Sequence, residues 1–116
     1  MALPPEVPEW LALPDIAERL GIAVTRVRDL VKDRRLLALR DSNDAPLLVP
    51  STLIGPEGPV KHLDAVIRLL ADAGYTDAEM VGWLFTEDPT IPGTPAAALA
   101  ANRGTEIKRR AQAMGF

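Results

Sequence analysis

Between residues 24 and 40 six cationic side chains, Arg26, Arg28, Lys32, Arg34, Arg35 and Arg40, stand against only Asp29 and Asp33, a local charge of +4 in a chain whose total is −3. Guanidinium and ammonium groups donate charge-assisted hydrogen bonds to phosphate oxygens, and the arginine fork also matches the acceptor pair of guanine. A polyanion meets the local field, so net acidity does not exclude one as a partner. Residues 103–116 are also basic, with four cations against Glu106, while residues 41–102 sum to −7.

Catalytic chemistry has poorer material. The chain has one histidine, His62, no cysteine and scattered acids, so neither a nucleophile with its base nor a metal cluster is evident. Gly55–Pro59 contains two glycines, but it lacks the Lys-Ser/Thr continuation of a phosphate loop and its prolines remove amide donors. The reading is a protein that is not an enzyme and needs no cofactor or metal. No apolar run approaches the roughly 20 residues of a membrane span, no secretory signal pattern opens the chain, and cysteine is absent. The expected setting is the cytoplasm, on the nucleoid, with no membrane partner.

The elements that must position the cationic cluster follow from periodicity. Residues 1–12, with Pro4, Pro5 and Pro8, read as an extended arm. Pro14 and Asp15 suit a first helical turn, Ile16, Ala17 and Leu20 form an apolar stripe, and Gly21 stops it. A second helix over about 24–33 is marked by Val24, Val27, Leu30 and Val31. Helix, tight glycine turn and helix is the helix-turn-helix layout. Leu36–Arg40 and Pro46–Val49, around the turn formers Asp41 to Asp44, predict a hairpin wing over 37–49.

With Val27 inward, helical geometry turns Thr25, Asp29 and Lys32 outward and puts Arg26 and Arg28 on the flanks. Such a face fits the DNA major groove, with Thr25, Arg26 and Arg28 reading bases and Lys32, Arg34, Arg35 and the wing-tip Arg40 on phosphate. Asp29 would repel phosphate; either it accepts from a cytosine amino group or, the favoured remedy, it pairs with Arg26 three residues earlier.

Beyond the Gly/Pro break at 55–59 the pattern is helical, so the fold class is mainly α with a small β-hairpin wing: a winged helix-turn-helix over 13–55, then a C-terminal helical bundle over 60–116. A helix over 60–73 ends at Gly74, and His62 in its first turn reads as a surface residue. Thr76 and Glu79 form a capping-box pattern for a short helix, apolar nearly all round and expected at the core's centre. Thr94 and Pro95 start a last helix to about Met114, in which Gly104 costs ~1 kcal/mol and marks a kink. Lys108 and Arg109 are weaker phosphate candidates; the stem of Arg110 should cover apolar surface.

Residues 13–54, ending in Val49, Pro50 and Ser51, resemble the winged helix-turn-helix of MerR-type regulators and excisionases. The later DAGYTDAEMVGWLFTEDP and RRAQAM resemble more closely an actinobacterial family of small winged-helix DNA-binding proteins, one class of which is a membrane Ser/Thr kinase substrate. The resemblance spans about 11–116 and implies a transcriptional regulator bound to double-stranded DNA. In the kinase-regulated members it implies a longer N-terminal tail with an acceptor threonine; residues 1–10 hold no Ser or Thr, so that regulation is not carried over. Ala23 departs from the Ser or Thr common where the second helix begins. The rival reading is a protein-interaction module, or a homodimer, using the winged helix or an exposed alanine-rich C-terminal helix.

Overall fold

The computed structural model describes residues 3–115. Strand β1 (Trp10–Ala12) leads directly into helix α1 (Leu13–Leu20) and then α2 (Val24–Lys32). After the wing come β2 (Leu48–Pro50), a 3-10 turn (Ser51–Leu53) and a two-residue pair of strands, β3 (Ile54–Gly55) and β4 (Gly58–Pro59). Four helices complete the chain: α3 (Leu63–Asp72), α4 (Asp77–Leu84), α5 (Pro95–Ala100) and α6 (Gly104–Ala113). The winged helix-turn-helix followed by a helical C-terminal region is thus present. Ile16, Val27, Leu37 and Leu53 from the first part join Leu63, Ile67, Leu70, Met80, Leu84, Leu99 and Ile107 from the second in one core cluster. No polar or charged residue is buried among the described residues.

The wing differs from the hairpin expected. Leu39 and Leu48 make a single bridge, exchanging both amide bonds at 2.9 and 2.8 Å, and the ladder stops there. Pro46 has no N–H to extend it toward the tip, and Pro50, which falls opposite Leu37 in the same register, has none to extend it the other way. The second wing strand pairs instead with the end of the N-terminal arm, Leu11 opposite Val49 and Ala12 opposite Leu48. Residues 1 and 2 of that arm lie outside the described residues.

Four helices end in the same way, by an amide donating to a carbonyl five residues back across a left-handed residue. Ile22 donates to Ala17 across Gly21, Arg35 to Leu30 across Arg34, Tyr75 to Leu70 across Gly74, and Arg103 to Ala98 across Asn102, all within 2.8–3.0 Å. At Gly21 this costs nothing, because glycine has no Cβ to clash at positive φ. Asn102 is the side chain best suited to stand in for it.

That Asn102 stop divides the single helix expected over 94–114 into α5 and α6. Gly104 therefore does not kink a helix; it opens α6 against the ring of His62, the left-handed N-cap of α3. A Cβ at Gly104 would lie 2.6 Å from His62 Cδ2 and 3.1 Å from its Cβ, too close for any side chain. His62 is accordingly half-buried in the α3–α6 joint rather than on the surface. Helix α4 is less central than its composition suggests: Met80, Val81 and Leu84 are buried, whereas Trp83 is half-buried. Its capping box is complete, with Glu79 N donating to Thr76 Oγ1 at 3.2 Å and Thr76 N to Glu79 Oε1 at 2.9 Å.

Replacing Gly104 with Ala should destabilise the protein by about 1–3 kcal/mol, although alanine is the better helix former, because the added methyl overpacks the joint. Urea denaturation of the wild type and Gly104→Ala measures it.

Candidate nucleic-acid interface

The rotation of α2 is set from below. Val27 has no exposed surface, and Val24, Leu30 and Val31 flank it half-buried, leaving Thr25, Arg26, Arg28, Asp29 and Lys32 exposed. The N-terminus of α2 has no side-chain cap, since Ala23 holds the extended N-cap conformation without a hydroxyl.

The exposed residues divide between two flanks. Thr25, Arg28 and Lys32 occupy one side and the crest. Arg26, Asp29 and Asp33 line a groove of about 430 Å³ on the other, shared with Leu20, Ile22, Arg35 and the turn Glu57–Pro59. The ion pair expected between Arg26 and Asp29 is not among those the described residues form. Both side chains are solvated, and an exposed pair at that spacing contributes only ~0.2–0.5 kcal/mol. Asp29 faces the flank groove, which removes its carboxylate from the side occupied by Arg28 and Lys32.

Arg26, Arg28, Lys32 and Arg35 form no ion pair among the described residues. Arg40 donates from Nη1 to the Ala45 carbonyl at 2.6 Å, which braces the wing turn. Arg34 is differently placed. It sits in the left-handed position that closes α2, with φ of 61°, and its fork is bidentate on Asp77 at the start of α4, Nη1 to Oδ2 at 3.0 Å and Nη2 to Oδ1 at 2.8 Å. Those hydrogen bonds hold the guanidinium pKa above its ordinary value. Sequence reasoning put Arg34 among the free phosphate contacts and overlooked Asp77, whose only local signal was a place in the first turn of a capped helix.

The distant basic run is also sorted by the structure. Lys108 and Arg109 are exposed on α6. Arg110 is half-buried and clasps the 86–93 loop, donating to Thr90 Oγ1 at 2.5 Å and pairing with Asp88 at 3.5 Å and Glu106 at 3.0 Å. The alanine-rich segment is not an exposed helix: Pro95, Ala96, Ala98 and Leu99 of α5 are buried.

An α1–α2 pair joined by a left-handed glycine, a wing behind it and a basic outer face on α2 define a winged helix-turn-helix protein. The chain belongs to the family of the DNA-binding protein Rv2175c: residues 1–54 match that family's wHTH domain, and residues 60–115 match the Rv2175c C-terminal domain of unknown function. It is 34% identical over 127 residues to the DNA-binding protein Rv2175c of Mycobacterium tuberculosis (strain ATCC 25618 / H37Rv), covering 98% of this chain and 85% of that protein. The NMR structure of Rv2175c superposes with a TM-score of 0.82 at 32% identity, covering 100% of this chain and 86% of that one.

The uncapped start of α2 is directly testable. Ala23→Ser should add a hydroxyl acceptor for a free first-turn amide and stabilise the fold by about 0.5–1 kcal/mol, seen as a higher Tm.

Proposed function

We propose that this chain binds double-stranded DNA as a transcriptional regulator, with α2 as the recognition helix in the major groove and the wing, residues 37–49, on the backbone or minor groove. The observation that carries this reading is the outer face of α2, where Arg28 and Lys32 are exposed and unpaired among the described residues while Val27 anchors the opposite side. The name of the mycobacterial relative supports the same partner.

In this reading Thr25 and Arg28 address base edges from the crest and near flank, and Arg26 approaches from the first turn of the other flank. Lys32, Arg35 and Arg40 neutralise phosphates, with Arg34 entering as described below. Base contacts specify a site and phosphate contacts position the protein on it, so the two sets should respond differently to mutation. The C-terminal helices are the body that holds the module, and the burial of α5 leaves the alanine-rich segment poorly suited to a partner chain.

Two measurements test the assignment. Neutralising four to six phosphates should make log affinity fall with log salt at a slope of about −4 to −5. A flat dependence excludes the groove mode. In a selection of bound oligonucleotides at fixed salt, Arg28→Ala should relax the preferred sequence at a cost of about 1–3 kcal/mol for the best site, whereas Arg35→Ala should weaken all sequences alike. Equal effects on every sequence would remove Arg28 from base recognition.

A further inference from the structure

The Arg34–Asp77 pair ties the end of the recognition helix to the C-terminal region, 43 residues away in the chain. Three observations bear on what it does. Arg34 occupies a left-handed position that disfavours a side chain and in which glycine would be free of strain. Its side chain and that of Asp77 remain 47% and 41% exposed, so the fork is within reach of an incoming anion. Asp77 also lines a cleft of about 540 Å³ with Arg40, Ser42 and Asn43 of the wing, and it is the one carboxylate in that lining. It therefore stands between the end of α2 and the wing.

Resting on the DNA-binding reading above, we propose that Asp77 occupies the phosphate site of Arg34 in the free protein, and that a backbone phosphate displaces it when DNA binds. Both anions suit the same planar fork, so they compete for it. Asp77 is not stranded by the exchange: it lies in the first turn of α4, where unsatisfied amides favour negative charge, and it is already open to water. The C-terminal region thus lowers DNA affinity through one intramolecular contact, and because a carboxylate is uncovered as a phosphate is covered, Arg34 adds little to the salt dependence of the wild type.

The test is DNA affinity against salt for the full chain carrying Asp77→Asn, Arg34→Gly or both, with thermal melts to verify folding. Asp77→Asn should bind about two- to five-fold tighter at low salt, with a slope steeper by about 0.9. In the Arg34→Gly background, which keeps the backbone unstrained, the same change should lose most of that gain. Unchanged or weaker binding by Asp77→Asn overturns the exchange, as does an equal gain without Arg34, which would mark a general charge effect. Either result, with a wild-type slope near −4, leaves the DNA-binding reading standing; wild type that binds no DNA at low salt removes both.

Discussion

Everything the basic helix presents depends on Val27. With no area exposed, it sits in the angle between α1 and α2 and prevents α2 from rolling. A roll of one residue, about 100°, would exchange the Arg28 and Lys32 side for the apolar one. The burial of one valine is worth only about 1.5–3 kcal/mol, yet it fixes the orientation of every exposed side chain on a helix of nine residues. Ala17, small and buried on α1, and Gly21, which turns the chain without a Cβ clash, complete the joint.

The next constraint is how the helices stop. The left-handed termination recurs at Gly21, Arg34, Gly74 and Asn102, and each turns the chain off its helix axis. At Arg34 it brings Arg35 to the groove beside Glu57 and sends the guanidinium toward α4. A backbone device that elsewhere only ends a helix here connects the winged module to the helical body.

That body is organised by the α3–α6 contact, closed where the His62 ring lies on Gly104. The clasp of Arg110 on Asp88, Thr90 and Glu106 holds the 86–93 loop against α6, and α5 fills the space beneath with alanines. The acidic stretch is residues 41–102, at −7, and its separation from the +4 of residues 24–40 explains how a chain of negative total charge carries a cationic face.

Much of this was legible from the residues alone. Local rules identified α1, α2, α3 and α4, because apolar spacing, Gly21, Gly74 and the Thr76–Glu79 box act within one or two turns. The outward side of α2 followed from Val27 by geometry. Tertiary structure decided the rest. Asn102 is only a weak local stop, since asparagine takes the left-handed turn less readily than glycine, and no local signal marks Arg34 for that conformation, in which its side chain reaches Asp77. Pro46 was visible, but the pairing of β2 with β1 rather than within the wing required residues 10–12 to be brought alongside. Asp29 stood out only as an acid among bases, and Arg34 looked equivalent to its neighbours as a charge in a line. Only the fold shows that one faces a side groove and the other is already occupied, because those partners come from β3–β4 and α4, remote in the chain.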